Sequence, residues 1–432
     1  MLEQALLKAF ATNPALGAAR STLRAAEHGV DQARAQALPQ AAITGSAGVG
    51  WSKSGQAGLD SSSNSLAGTV DHWVRTNPRT LGLSVTQPLY KGGQIDAGIQ
   101  QADHSAGAQQ AGLAEQEQAL ALQAATAFLD VAMDQALVEL QIEFEKFQRR
   151  DLQALQDRYR AGEVTQTDVR LQEAQLANAS AARIATQGLL EIDRATYLKL
   201  IGEAPPPQLT LPRLDYVLPA TLNQLIDLAL RDSPRIQAAK LAEAAARSGV
   251  EVAEGALLPS LNLTTNVSRS LDRSLPNDFS NGASLIANLV IPIDNGTNRA
   301  RTRAARETAA AARSTVEQTS NTVQELATQS WRRLHAARAN ITYYEAAVRS
   351  NELASKGIRQ QIAIGASTII DLISTEQALL NARVSLLRAH HDEALGVLST
   401  LAALGRLDPR LFGQGAAVPA PAGPTGGRPR AP

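Results

Sequence analysis

The sequence predicts a mainly α-helical, internally duplicated chain carrying two β-hairpins of the kind that build a membrane β-barrel. Three observations carry this. The segment from Leu2 to Pro39 falls without a gap, at one constant offset, on a second copy. Leu2 meets Leu222, Pro14 meets Pro234, Gly29-Val30 meets Gly249-Val250, and Leu38-Pro39 meets Leu258-Pro259. Each copy is followed by two runs with period-two alternation, and then by a long stretch in which nothing stops a helix. The repeat unit is far longer than a solenoid repeat, so the chain is a duplicated half-molecule.

Residues 2–38 read as helical, interrupted by Pro14 and ended by Pro39, because proline lacks an amide hydrogen and clashes with the preceding turn. A strand follows, with Ile43, Ala47, Val49 and Trp51 on one face and Thr44, Ser46, Gly48 and Gly50 on the other. The Ser, Gly and Asn content from Trp51 to Pro78 predicts a loop. In the next strand Leu81, Leu83, Val85 and Leu89 oppose Thr80, Gly82, Ser84 and Thr86. From Gly93 to about Arg158 only Gly98, Gly107 and Gly112 weaken a helix that would span roughly 100 Å. Gly162 ends it, and a returning helix covers about 167–200.

The second half repeats this order. Leu261, Leu263, Thr265 and Val267 alternate with Asn262, Thr264, Asn266 and Ser268. A polar loop from Arg269 to Gly282 leads to Leu285, Ala287, Leu289, Ile291 and Ile293. A long helix over about 297–361 ends at Gly365, and the return runs over about 368–405. The organisation is a first repeat, 1–204, with its hairpin at 41–90 and a turn at 159–168. A linker, 205–220, precedes the second repeat, 221–407, with its hairpin at 260–293 and a turn at 362–371. The Pro, Gly and Ala composition of 408–432 predicts a disordered tail.

Composition narrows the function. The 41 basic and 41 acidic residues cancel, so no electrostatic attraction to nucleic acid is implied. The absence of cysteine excludes disulfides, thiolate metal sites and cysteine nucleophiles. The six histidines lack zinc spacing, and no nucleophile elbow or phosphate loop occurs, so neither an enzyme nor a cofactor is expected. Aromatics are only 3%, which suits alanine-rich helices in close contact. No apolar run reaches the roughly 20 residues of a membrane helix. Met1 runs directly into an amphipathic segment, so either the protein is cytoplasmic or a targeting segment has been trimmed, and trimming is expected.

Four strands with one apolar face cannot close a sheet by themselves, since membrane barrels begin at about eight strands. An open edge in lipid leaves backbone groups unpaired at several kcal/mol each. The strands are therefore either lent to a barrel shared between chains or packed as soluble sheets. Three chains would supply twelve strands. The acids Glu115, Glu117, Asp130, Asp134, Glu139, Glu143 and Glu145 read as a solvated helix face near Lys146, Arg149 and Arg150, or as an electronegative lining. Trp51, Trp73 and Tyr90 near strand ends suggest interfacial anchors.

The duplicated order of helix, Leu-Pro, strand hairpin, Gln87-Pro88-Leu89-Tyr90 and long helix resembles the TolC family of outer-membrane efflux and secretion channels. Arg158 to Val169 is similar to that family's first helix-tip turn, and Ile364 to Leu372 to its second. The resemblance covers residues 2–407. It implies a homotrimer in the outer membrane of a Gram-negative bacterium, with a shared twelve-stranded barrel in lipid and a long periplasmic α-helical barrel. It also implies a passive exit duct that docks a periplasmic adaptor (membrane fusion) protein and an inner-membrane ABC or proton-driven exporter.

By the same resemblance Arg160, Gly162, Glu163, Val164 and Asp168 belong to the first adaptor-docking tip, and Gly365 and Ala366 to the second. Asp371 corresponds to an acid of the pore gate. The chain departs at Ser374, where the family commonly has a second aspartate, and at Ile362 and Ser367, which replace the tyrosine and arginine that help latch the family's best-known member shut, so a different closing network is expected. Asp371 also reads simply as a helix N-terminal acid, which the matching Asp168 favours. The competing function is a non-pore periplasmic coiled-coil adaptor or scaffold. Such a protein is expected to carry one helical hairpin between β domains rather than two pairs of bilayer-length strands.

Overall fold

The computed structural model describes residues 2–54, 58–59, 66–67, 72–212, 214, 216, 218–272, 278–293 and 296–407. The tail at 408–432, expected to be disordered, lies outside the described residues. The helices are α1 (Leu2–Thr12), α2 (Pro14–Ala35), α3 (Gln94–Arg160), α4 (Gln166–Ile201), α5 (Leu222–Asp232), α6 (Pro234–Gly255), α7 (Thr297–Ala363) and α8 (Ile369–Ala403). Pro14 and Pro234 each open a helix, the one position where the missing amide hydrogen costs nothing. α3 and α7 are both 67 residues long, and neither contains a proline. No helix among the described residues is long and apolar enough to cross a membrane.

The chain divides into two compact units, each drawing on both repeats. The first comprises residues 1–23, 109–239 and 316–432. Its core sets Ala121, Ala124, Ala125, Phe128 and Leu129 of α3 with Leu398 and Leu401 of α8 and Tyr197 and Ile201 of α4. Small residues permit this closeness: a Cβ on Gly396 would lie 3.0 Å from the Leu334 Cα. The predicted linker is held to this core although its described residues form no helix or strand. Gln135 donates to the Pro206 carbonyl and accepts from the Leu209 amide at 2.7 Å, while Leu211, Leu214 and Leu218 pack on the cluster. The leucine spacing of this segment supplies the apolar contacts that its prolines deny to a regular element.

The second unit comprises residues 24–108 and 240–315. Its strands are β1 (Gln40–Ala47), β2 (Gly50–Ser54), β3 (Gly58–Leu59), β4 (Leu66–Ala67), β5 (His72–Thr76), β6 (Arg79–Lys91), β7 (Ser260–Leu271) and β8 (Phe279–Val290). β1, β6, β7 and β8 form one antiparallel sheet in that order, so the two hairpins lie side by side. The loop expected over Trp51–Pro78 is corrected: β2 pairs with β5 and β3 with β4. His72-Trp73-Val74-Arg75-Thr76 has strand-forming residues that the surrounding Ser and Gly obscure. The loop expected at Arg269–Gly282 is likewise shorter, because β7 runs to Leu271 and β8 starts at Phe279. Ile291 and Ile293 lie beyond β8.

Register organises the sheet into rows. Ile43, Leu83, Val267 and Ala283 align across the four strands, and the adjacent row holds Ala42, Ser84, Asn266 and Ser284. Successive rows thus present an apolar and a small-polar face, as the alternation requires. One alternation fails. The register shifts between Pro88 and Tyr90, so Leu89 is the extra residue and Tyr90, not Leu89, lies across from Leu261. Pro88 has no amide to give the ladder, which suits it to a bulge. Beyond this strand Gly92 adopts φ 58°, and a Cβ there would meet the Gly255 carbonyl oxygen at 2.4 Å. Only glycine fits that turn.

Candidate functional site

Both helix tips in the first unit are built to one plan. α3 ends in Gly162 at φ 81° and α7 passes into Gly365 at φ 74°, left-handed conformations that relieve the last carbonyls of a helix. The Glu163 amide donates to the Arg158 carbonyl at 2.9 Å, and the Ala366 amide to the Gln361 carbonyl at 2.8 Å. Each returning helix then starts with a capping box. Thr165 and Asp168 exchange hydrogen bonds at the start of α4, and Thr368 and Asp371 do so at the start of α8. Two amide donors that a helix start leaves unsatisfied are thereby satisfied.

The predicted tip residues therefore gather in two turns. Arg160 pairs with Asp157 at 2.9 Å and Glu163 with Arg158 at 3.1 Å, both on the exposed rim; Val164 is half-buried and Ala366 exposed. Among the described residues no hydrogen bond or ion pair joins one turn to the other. Asp371 accepts from the Thr368 hydroxyl at 2.6 Å, the Thr368 amide at 2.9 Å and the Ser367 hydroxyl at 3.4 Å, all on Oδ2. The Thr368 bonds, with help from Ser367, hold its carboxyl below the usual carboxylate range. Ser374 donates to the Asp371 carbonyl, an ordinary intrahelical bond, and Ile362 is half-buried where α7 ends.

Several charged groups have roles that the sequence reading missed. Glu376 on α8 is buried and accepts from Ser355 and, at 2.8 Å, from Arg359 on α7. The Arg359 guanidinium also lies 4.3 Å from the centroid of the Phe147 ring on α3. These residues line a groove of about 650 Å³ with Lys146, Arg150 and Lys356. Asp151 is raised to about 6 by burial, with Arg359 opposing and Glu376 reinforcing the shift. The spacing of Ser355 and Arg359 on one helical face opposite an acid was the available signal. Glu173, the repeat counterpart of Glu376, remains on the surface with Arg170.

The run of acids on α3 is not a uniform solvated face. Glu145 is buried and binds Ser180 and Arg183 on α4. Asp134 is 4% exposed, while Glu115 and Glu117 form surface pairs with Arg235 and Arg20. His391 is buried and His390 exposed, so the adjacent histidines do face different ways.

The sheet offers a further candidate surface. Ile43 is 77%, Leu285 67% and Leu81 62% exposed, although all three lie on the apolar face. Exposed apolar side chains clustered on one face in this way mark a surface meant for an apolar environment. β1 and β8 have no further strand partner among the described residues. Trp51 and Trp73 lie on the separate β2–β5 ribbon, whereas Tyr90 lies one residue before the end of β6; all three are exposed. Arg75 lies over the Trp51 ring at 6.0 Å.

Comparison with known proteins agrees with this geometry. Residues 5–203 and 225–405 match the family described as outer membrane efflux protein. The chain is 29% identical over 409 residues to the outer membrane efflux protein BepC of Brucella suis biovar 1 (strain 1330), covering 94% of this chain and 85% of that one. It is 25% identical to the outer membrane protein TolC of Escherichia coli (strain K12), with coverage of 94% and 82%. Among solved structures, the outer-membrane channel OprN superposes with a TM-score of 0.82 at 22% identity, covering 94% of this chain and 89% of that chain. VceC of Vibrio cholerae gives 0.78 at 19% identity, with coverage of 94% and 96%.

Proposed function

Because the chain belongs to the outer membrane efflux protein family, that of the TolC-type channels, we propose that it is the outer-membrane exit duct of a tripartite efflux or type I secretion system. The observation that carries this reading is the four-stranded sheet with an exposed apolar face, a small-polar face and two open edges. In lipid such edges must be closed by neighbouring copies, and three copies give twelve strands with the small-polar face lining a lumen. The non-pore adaptor reading leaves that apolar face without a purpose.

On this reading the duct is a homotrimer in the outer membrane and its helices extend into the periplasm. The Gly162 and Gly365 turns dock the hairpins of a periplasmic adaptor, with Arg160, Glu163 and Ala366 on the rim. Asp371 is the gate acid. Thr368 and Ser367 hold it ionised through Oδ2, leaving Oδ1 to face cations, and three copies near one axis form an electronegative ring. An inner-membrane ABC or proton-driven exporter supplies the energy. Planar-bilayer recording on detergent-purified, folded protein tests the proposal: discrete channel openings support it, and folded protein that never conducts contradicts it.

A further inference from the structure

Away from the tips and the sheet, three helices of the first unit bring together a cluster of titratable groups that the duct reading does not use. Asp130 and Asp134 lie one turn apart on α3, Asp193 comes from α4, and His391 comes from α8. His391 Nε2 lies 2.8 Å from Asp130 Oδ1, and its Nδ1 lies 3.4 Å from Asp392. Both ring nitrogens are therefore engaged by carboxylates, the arrangement that suits an imidazolium. Asp134 is buried beside Asp193, and its Oδ2 has no donor.

A buried carboxylate oxygen without a donor is costly, and two carboxyl groups in hydrogen-bonding contact repel each other when both are ionised. The charged groups acting on Asp134 are Asp193 from α4, Asp130 from its own helix and His391 from α8. His391 is already bound on both nitrogens, and the carboxyl pair can itself supply the missing hydrogen. We propose that Asp134 and Asp193 share one proton, and that this bond and the Asp130–His391 pair form an acid-stabilised clamp holding α4 and α8 on α3. The clamp stands on these contacts alone and does not depend on the duct reading.

The titration agrees with the geometry. Burial, then the Asp193 hydrogen bond and charge, raise Asp134 to about 7 from an ordinary value of 3.8. For His391 burial opposes the charged form, but Asp130 and Asp392 outweigh it and the net shift is upward. Both groups bind protons more tightly when folded than unfolded. Asp134 therefore withdraws stability as pH rises from about 4 to about 7, and His391 withdraws it above its ordinary value of 6.5. The two act in the same direction, and the clamp is tightest in acid.

The test is the thermal midpoint of the full-length assembled protein between about pH 4 and pH 8, compared with Asp134→Asn. The asparagine amide donates to Asp193 without needing a shared proton. The expected result is a wild-type midpoint that falls across this range and a shallower fall in the variant, which melts a few degrees higher than wild type at pH 8. Parallel curves, or a variant equally destabilised at both ends, overturn the proposal. Should Asp134→Asn not fold, infrared spectra decide the matter in an Asp151→Asn background, because Asp151 also titrates at about 6. A protonated-carboxyl band persisting at pH 6 supports the shared proton, and its absence overturns it.

Discussion

Substituting arginine at Leu83 or at Ser84 places the same charge one residue apart, on opposite faces of β6. Leu83 stands in the apolar row with Ile43, Val267 and Ala283, and Ser84 in the small-polar row with Ala42, Asn266 and Ser284. If the apolar face meets lipid, Leu83→Arg costs about 2–4 kcal/mol per chain near mid-bilayer, falling toward zero near the interfaces. Three independent copies give roughly 6–12 kcal/mol per trimer, comparable with the whole stability of an ordinary domain. Ser84→Arg meets only small polar neighbours and should stay within about 1 kcal/mol per chain. The assay is the yield of heat-resistant oligomer after insertion into lipid vesicles. Leu83→Arg should abolish it while Ser84→Arg leaves most of it. Equal loss in both, or greater loss in Ser84→Arg, would refute the assignment of faces.

Four further substitutions probe the tips and the strand-to-helix turn. Asp371→Asn should weaken channel block by multivalent cations added from the periplasmic side, with only a modest effect on the start of α8, since the asparagine carbonyl oxygen can still accept from the Thr368 amide; unchanged block moves the gate elsewhere. Glu163→Arg exchanges the partner of Arg158 for a like charge on an exposed rim, and should impair adaptor binding in a pull-down while the oligomer stays intact. Binding at the wild-type level would remove that position from the docking surface. Gly92→Ala should lower the melting temperature more than Gly162→Ala. Both carry a positive φ worth about 1 kcal/mol, but only the Gly92 methyl would strike backbone, whereas Gly162 faces open space. Equal shifts would mean that the Gly92–Gly255 approach relaxes freely.

Most of the fold was legible because its signals are local. Pro14 and Pro234 mark helix starts, Gly162 and Gly365 mark helix ends, and period-two alternation marks β6 and β7. What escaped was decided by partners distant in sequence. The β2–β5 pairing rests on contacts between Gly50–Ser54 and His72–Thr76, and composition alone cannot report those. The bulge that replaces Leu89 by Tyr90 on the apolar face depends on the register against β7, although Pro88 hinted at it. The residues expected at the tips lie at the two turns that join α3 to α4 and α7 to α8. The capping boxes give Asp168 and Asp371 a shared structural role that their matched positions in the two halves had suggested. The buried acids were the least legible. Asp134, Glu145 and Glu376 look like surface residues until α4, α7 and α8 bring Asp193, Arg183 and Arg359 against them.

The central claim is that four strands with open edges are one share of a barrel. Native mass spectrometry of the protein released from detergent counts the shares directly. The account predicts a species of three chains, twelve strands in all, with no stable folded monomer. A folded monomer that persists in detergent, or an assembly whose strand count cannot close a barrel, would contradict it.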